Sequence, residues 1–123
     1  MQKILAVEDS ASMRRLVSMV LEEAGFDVVL AEDGQEALDY AKENGSYVPD
    51  LVLTDINMPN VNGFELIEGL RQMDAYKYIP MLVLTTEAGA DKKNRGREVG
   101  ATGWLVKPFD PVQLVAVMHK VLN

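Results

Sequence analysis

The chain has 123 residues, of which 48% are hydrophobic and 25% charged, with a formal net charge of -7 and no cysteine. These values favour one globular domain over residues 1–123, and they exclude disulfides and thiolate metal sites. The acidic balance argues against direct DNA binding, which needs a basic surface. No apolar run approaches the roughly 20 residues of a membrane span, and the first residues do not resemble a signal peptide. We therefore expect a cytoplasmic protein without membrane association.

Five short apolar runs recur along the chain, separated by segments with helical spacing. They read KILAV, DVVLA, LVLT, MLVLT and GWLV, at residues 3–7, 27–31, 51–54, 81–85 and 103–106. Runs that are mostly apolar throughout are typical of strands covered on both faces. Alternation of strands and helices without hairpin signals predicts a parallel sheet with right-handed crossovers, and hence a doubly wound α/β domain.

The first two helical segments carry clear start and stop signals. The first predicted helix ends at Gly25 and has six apolar residues at helical spacing, which are Met13, Leu16, Val17, Val20, Leu21 and Ala24. Asp33 followed by Glu36 predicts the start of the second helix, and Gly45 is expected to end it.

The later helical segments differ in strength. Asn62 is expected to cap the third helix, and Asp110-Pro111 predicts the start of the last one. In the segment between them, Val99 is the only large apolar residue, and the internal Gly96 weakens the helix. We expect a short, weakly anchored helix there.

Charged and hydroxyl residues stand where four of the predicted strands end. Glu8 and Asp9 follow the first strand, Asp55 the third, and Lys107 the fifth, while Thr85 ends the fourth. The carboxyl ends of strands in open α/β sheets form the binding crevice, so these side chains are expected to share one pocket. Three carboxylates repel one another, and a hard divalent cation such as Mg²⁺ is a natural counter-charge. Taken singly, each residue also fits a loop acid, a helix cap or a surface lysine.

These motifs resemble the receiver domain of two-component response regulators. The stretches VEDSASMRRLV, LVLTDINMPNVNGFELI, VLTTEA and GATGWLVKPF carry the resemblance, which covers nearly the whole chain and is greatest to stand-alone chemotaxis regulators. It implies a flavodoxin-like fold, with five helices around a five-stranded parallel sheet of order 2-1-3-4-5. The implied function is a monomeric signalling switch rather than an enzyme. A sensor histidine kinase of the chemotaxis type would phosphorylate it, and the phosphorylated form would bind another protein.

The resemblance also implies a role for each residue at the strand ends. The expected phospho-acceptor is Asp55, and the expected Mg²⁺ ligands are Glu8, Asp9, Asp55 and the backbone carbonyl of Asn57. Lys107 would pair with one phosphoryl oxygen, and the hydroxyl of Thr85 would bind another. The family often has Asp at the position of Glu8, so it stays open whether Glu8 contacts the metal directly or through water.

Three further expectations follow from the resemblance. Thr85 and Trp104 would form the switch, with the indole turning inward as Thr85 moves towards the phosphoryl group; Trp104 alone also fits a partly buried ring on an edge strand. Asn57 and Glu87 would flank the attacking water, which predicts fast self-dephosphorylation. The bond between Lys107 and Pro108 is expected to be cis.

Alternative functions stay open at this point. The protein could be a signalling switch that binds a flagellar motor switch protein, or a phosphate sink that has no target. An aspartyl-phosphate-type phosphatase would carry a second acid two residues after the nucleophile, where this chain has Asn57. A nucleotide- or flavin-binding module would need a Gly-rich or hydroxyl-rich loop after the first strand. This chain has VEDSASM there, whose acids would repel phosphate in the absence of a metal. We also expect Asp55→Ala to fold well and even to gain stability, because it relieves like-charge repulsion.

Overall fold

A computed structural model describes residues 1–122, in which strands and helices alternate along the chain. The strands are β1 Lys3–Val7, β2 Asp27–Ala31, β3 Leu51–Thr54, β4 Met81–Thr85 and β5 Gly103–Val106. The helices are α1 Ala11–Glu23, α2 Gly34–Glu43, α3 Gly63–Arg71, α4 Ala90–Val99 and α5 Pro111–Leu122, with a 3₁₀ turn at Asp74–Tyr76. All five predicted strand ranges are confirmed.

The strands form one parallel sheet in the order β2-β1-β3-β4-β5. This confirms the predicted doubly wound, flavodoxin-like architecture. The register explains how the sheet positions charged residues: Val7 of β1 lies opposite Thr54 of β3. The next residues in the chain, Glu8 and Asp55, therefore leave the sheet side by side at its carboxyl edge.

A hydrophobic core lies on each face of the sheet. One core packs α1 and α5 against the strands through Val17, Leu21, Leu114 and Met118. The other packs α2 and α3 against the strands and includes Leu66, Ile67 and Leu70. Strands β3 and β4 are buried along their whole length, whereas the edge strands β2 and β5 are partly exposed. Within residues 1–122, no helix is both long enough and apolar enough to cross a membrane.

The helix starts follow the predicted caps, but one helix end does not. The side chains of Asp33 and Asn62 accept hydrogen bonds from backbone N–H groups of the helices they precede, as predicted. At the end of α2, Asn44 replaces the expected Gly45. Both the backbone N–H and the side-chain amide of Asn44 donate to the carbonyl of Tyr40. The helix carbonyl is therefore satisfied without a glycine in the left-handed conformation.

Two predictions about burial and length need correction. Leu16 was counted among the apolar residues at helical spacing, but the residue is 39% exposed, because it lies about 100° around the helix from buried Val17. The α4 helix was expected to be short, yet it spans 10 residues. Its weak anchoring is confirmed, since Gly96 is its only buried residue.

Candidate functional site

Three carboxylates meet at the carboxyl edge of the sheet. Glu8 and Asp9 follow β1 and Asp55 follows β3, and one oxygen from each lies within 4.8 Å of the other two. The side chains of Glu8 and Asp55 are only 8% and 10% exposed, whereas Asp9 is exposed. The structure therefore brings together the three acids that were expected to share a pocket.

The ammonium group of Lys107 lies between two of these acids. Its Nζ donates to Oε2 of Glu8 at 2.7 Å and to Oδ2 of Asp55 at 2.9 Å. The backbone N–H of Lys107 donates to the carbonyl of Thr85, and the Lys107-Pro108 bond is cis, as predicted. The ion pair with Glu8 was not predicted from the sequence, which identifies the charges at strand ends but not how they pair. One buried cation thus compensates two carboxylates.

The pKa values of the three buried groups shift in different directions. Burial raises the pKa of Glu8, and the charge of Asp55 adds to the rise despite the hydrogen bond from Lys107. Burial alone would raise the pKa of Asp55, but the hydrogen bonds from Lys107, Thr85 and the N–H of Ile56 outweigh it and lower that pKa. Burial alone would lower the pKa of Lys107, but its two carboxylate partners raise it. Asp55 is therefore held as a carboxylate.

The pKa directions bear on the expectation for Asp55→Ala, which stays a prediction. A lowered pKa means that the folded state favours the charged form of Asp55 over its protonated form. Replacement by alanine would relieve the repulsion between Asp55 and Glu8, but it would also leave Lys107 with Glu8 as its only carboxylate partner. Glu8, whose pKa is raised, is the acid that the folded state disfavours as a charge. Neutralising Glu8 is therefore also expected to add stability.

Glu87 connects three side chains on one side of the site. Its N–H donates to Oγ1 of buried Thr85 at 3.3 Å, and its carboxylate accepts from Nδ2 of Asn57 at 3.1 Å. The carbonyl of Glu87 accepts from Nε1 of Trp104 at 2.8 Å. The expected partners Asn57 and Glu87 are therefore in contact. The two residues of the expected switch, Thr85 and Trp104, are linked indirectly, because each is hydrogen-bonded to the backbone of Glu87. Hydrogen bonds between side chains and the backbone of Glu87 could not be predicted from the sequence, because every residue has these backbone groups.

The indole of Trp104 packs between α3 and α4. It stacks with Phe64 at a centroid distance of 6.2 Å and an interplanar angle of 28°. The ring also lies close to α4, because a Cβ atom added to Gly96 would lie 2.8 Å from its Cζ3 atom. The ring was expected to turn inward on switching, and here it already packs against the core. A switch at this residue would therefore shift populations between ring positions.

Close backbone packing fixes the loop that follows Asp55. The N–H of Ile56 donates to Oδ1 of Asp55 at 2.6 Å, and the N–H of Gly63 donates to the carbonyl of Ile56 at 2.9 Å. A Cβ atom at Gly63 would overlap the carbonyl oxygen of Asp55. Glycine at this position lets α3 begin directly against the loop. The loop also contains Asn57, whose backbone carbonyl stays a predicted metal ligand.

The acids fit a small, hard cation. All the donors are oxygens, and of the residues that the structure describes, these acids form the one group of three or more potential ligands close enough to share an ion. Mg²⁺ is bound by one or two carboxylates and keeps several waters. Exposed Asp9 beside buried Asp55 suits that partly hydrated coordination.

Comparison with known proteins identifies the family. Residues 4–119 match the model described as response regulator receiver domain. The chain belongs to that family. It is thus a receiver domain of two-component signalling, a signalling switch, as the motifs at the strand ends predicted. This receiver is 37% identical over 122 residues to the phosphate regulon transcriptional regulatory protein PhoB of Escherichia coli, covering 99% of this chain and 52% of PhoB. The chain spans about half the length of the first curated relatives it matches.

Solved structures agree with the receiver fold over nearly the full chain. The chemotaxis protein CheY4 of Vibrio cholerae is 46% identical, with a TM-score of 0.92 and 98% of each chain covered. The receiver domain of a sensor histidine kinase from Pseudomonas aeruginosa is 25% identical, with a TM-score of 0.89 and 98% and 97% covered. That structure is described with a magnesium ion coordinated in the active site cleft.

Proposed function

We propose that this receiver accepts a phosphoryl group on Asp55 and, when phosphorylated, passes the signal on by binding another protein. The observation that carries the proposal is the state of Asp55, a nearly buried carboxylate with a lowered pKa that is bonded to Lys107 within an acidic cluster. A carboxylate kept ionised in this way is ready to act as a nucleophile.

The proposed donor is a phosphohistidine on a sensor histidine kinase. An oxygen of Asp55 would bond to phosphorus as the bond from phosphorus to the imidazole nitrogen breaks, and the imidazole would keep the electron pair. Catalysis of such transfers is mainly positioning and neutralisation of charge. Lys107 would neutralise one phosphoryl oxygen, and the hydroxyl of Thr85 would donate to another. The bond of Lys107 to Asp55 and the buried position of Thr85 at the end of β4, the strand beside β3, support these roles.

The proposed Mg²⁺ ligands are Glu8, Asp9, Asp55 and the backbone carbonyl of Asn57. Bound there, Mg²⁺ would offset the repulsion between an anionic phosphoryl group and the carboxylates. Burial of Glu8 and its bond to Lys107 leave both direct and water-mediated contact open for that residue.

A role in chemotaxis is the finer part of the proposal. The similarity to CheY4 supports it, with 46% identity over 98% of both chains. The kinase would then be of the chemotaxis type, and a flagellar motor switch protein would be the target. A phosphate sink without a target is the alternative, and PhoB shows that the same family also serves transcriptional regulators. Action as a cytoplasmic monomer stays a prediction.

A phosphatase that turns over outside substrates is less well supported. The position two residues after the proposed nucleophile holds Asn57, whose side-chain amide donates to Glu87. An amide cannot give a proton to a leaving group as a second acid would.

Phosphorylation with Mg²⁺ and acetyl phosphate tests the proposal. Intact-mass measurement should show a gain of one phosphoryl group, and peptide mapping should locate it on Asp55. Asp55→Asn should abolish the gain, and Asp9→Ala should greatly reduce it together with Mg²⁺ binding. The matched control is Asp27→Asn, the same charge change at an exposed position of β2. Undiminished phosphorylation of Asp55→Asn would refute the assignment, and multiple turnover of phosphate esters would favour the phosphatase.

Loss of the phosphoryl group should depend on Asn57 and Glu87. Their contact at 3.1 Å supports a shared position beside the attacking water. Asn57→Arg should therefore slow the decay of the phosphorylated mass after the donor is removed. Decay at the wild-type rate would show that Asn57 does not border that water.

A further inference from the structure

Arg14 of α1 holds the loop that carries two of the acids. Its Nη1 donates to the backbone carbonyl of Glu8 at 2.8 Å and to that of Asp9 at 2.9 Å. Its Nη2 lies 3.6 Å from Oε1 of Glu32, which follows β2. The Arg14 side chain is only 16% exposed. One guanidinium group thus ties the loop after β1 to α1 and to the connection after β2.

Arg14 is the side chain that holds the backbone around Asp9. Within residues 1–122, the Asp9 carboxylate has no hydrogen-bond or ion-pair partner, so its direction is set by its own backbone. Arg14 holds the two backbone carbonyls that flank the Cα atom of Asp9, namely that of Glu8 before it and that of Asp9 itself after it. Glu8 has further restraints, because its N–H donates to the carbonyl of Ala31 and its Oε1 accepts from the N–H of Ser10.

We propose that Arg14 is a positioning residue for divalent metal binding. By holding the carbonyls of Glu8 and Asp9, it directs their side chains towards Asp55 in the geometry that a small octahedral cation requires. Groups that orient metal ligands affect affinity strongly even though they do not touch the ion. The proposal rests on the proposed function, because it concerns the same metal site.

The charge of Arg14 has the opposite effect from its hydrogen bonds. A fixed cation near the site repels a divalent ion, so Arg14→Ala would raise the affinity if the electric field dominated. Two metals separate the effects. The field acts alike on Mg²⁺ and Ca²⁺, which carry the same charge. Ligand geometry matters more for Mg²⁺, which demands a nearly ideal octahedron, than for Ca²⁺, which accepts irregular coordination.

Arg15 provides a matched control. It carries the same charge at the next position of α1, is exposed, and takes part in no side-chain hydrogen bond or ion pair within the part of the chain that the structure describes. Arg15→Ala therefore removes one positive charge near the site without releasing the loop.

Calorimetric titration with Mg²⁺ and, separately, with Ca²⁺ tests the proposal. We expect Arg14→Ala to weaken Mg²⁺ binding about ten-fold and Ca²⁺ binding clearly less. Arg15→Ala should change both dissociation constants less than about two-fold, because exposed charges are screened by salt. Arg14→Lys keeps the charge and can donate to a carbonyl, so it should recover part of the preference for Mg²⁺.

Two results would overturn the proposal: equal effects of Arg14→Ala and Arg15→Ala, or an Arg14→Ala effect of the same size for both ions. If circular dichroism shows that Arg14→Ala does not fold, Arg14→Met keeps the aliphatic length without the donors and is judged by the same criteria. Failure of the proposed function is seen separately, because the wild-type protein would then bind no Mg²⁺ at all.

Discussion

Helices α3 and α4 pack on the same face of the sheet, but they are held very differently. The α3 helix buries five residues and starts with a complete capping box formed by Asn62 and Glu65. The α4 helix buries only Gly96 and is preceded by Gly89, which provides no side-chain cap. The loop that carries Asp55 leads into the firmly packed helix, whereas Trp104 packs against the weakly packed one. The proposed phosphorylation site is thus supported by the firmly packed α3. The proposed signal reaches α4, which can shift at a small cost in free energy.

The two ends of α4 also differ. Gly100, with φ of 105°, closes the helix in the left-handed conformation. Its carbonyl accepts from Nε and Nη2 of Arg71 at 3.2 and 2.7 Å. Arg71 is the last residue of α3, so this end of α4 is tied to the firmly packed helix. We therefore expect motion of α4 to be largest near Gly89, the end that follows β4.

The largest expected effect is on stability and compares one apolar residue in each helix. Leu66→Ala in α3 should lower the free energy of unfolding by about 3 kcal/mol, because Leu66 is fully buried. Val99→Ala in α4 should cost about 1 kcal/mol or less, because Val99 is only half-buried. Urea denaturation measures both values. Similar losses for the two variants would remove the contrast between the helices.

A smaller effect is expected where α4 touches the indole. A Cβ atom at Gly96 would lie 2.8 Å from Cζ3 and 3.0 Å from Cε3 of Trp104, so the ring must move in Gly96→Ala. Alanine also favours the helix by about 1 kcal/mol, so the net change in stability should stay within about that amount. Acrylamide quenching of Trp104 should increase.

Gly89→Ala is the control for this contact, because a Cβ atom there would meet nothing within 4 Å. It should leave the quenching of Trp104 unchanged. If Gly96→Ala also leaves it unchanged, the ring does not depend on its contact with α4.

The smallest expected effect lies inside the rigid site and depends on pH. The folded-state pKa of Glu8 lies above its ordinary value of 4.5, so the folded protein holds this proton more tightly than the unfolded chain. The resulting stabilisation is present below pH 4.5 and is lost as pH rises through the folded-state pKa. Glu8→Gln should therefore match the wild type at low pH and be more stable at neutral pH.

Urea denaturation across this pH range, in buffer without divalent metals, measures the difference. Glu98→Gln removes the same charge at an exposed position of α4 and should show no such trend. A Glu8→Gln variant less stable than wild type at neutral pH would mean that the bond from Lys107 to the carboxylate outweighs burial and the repulsion from Asp55.

The sequence predicted the fold and the composition of the site well, for physical reasons. Strands buried on both faces appear as continuous apolar runs, and parallel strands end at one edge, so Glu8, Asp9 and Asp55 could be placed together. The pairing of Lys107 with Glu8 as well as Asp55 could not be predicted, because the sequence places the charges at strand ends without giving the distances between them.

Two further contacts could not be found from the sequence. The bonds of Arg14 and of Trp104 end on backbone carbonyls, which every residue has. Their partners therefore leave no residue-specific pattern. The end of α2 was mispredicted for a related reason, because Asn44 and Gly45 are both common at helix ends and only the hydrogen bonds to Tyr40 distinguish them.

Phosphorylation-dependent quenching of Trp104 tests the central claim most directly. The claim is that phosphorylation of Asp55 changes the position of the Trp104 ring beside α4 by way of Thr85. Trp104 is the only tryptophan in the chain, so its fluorescence is specific. With Mg²⁺ and acetyl phosphate, emission should change and acrylamide quenching should fall as the packed ring position becomes more populated. Thr85→Ala should blunt both changes. Unchanged emission and quenching in a protein that mass spectrometry shows to be phosphorylated on Asp55 would contradict the claim.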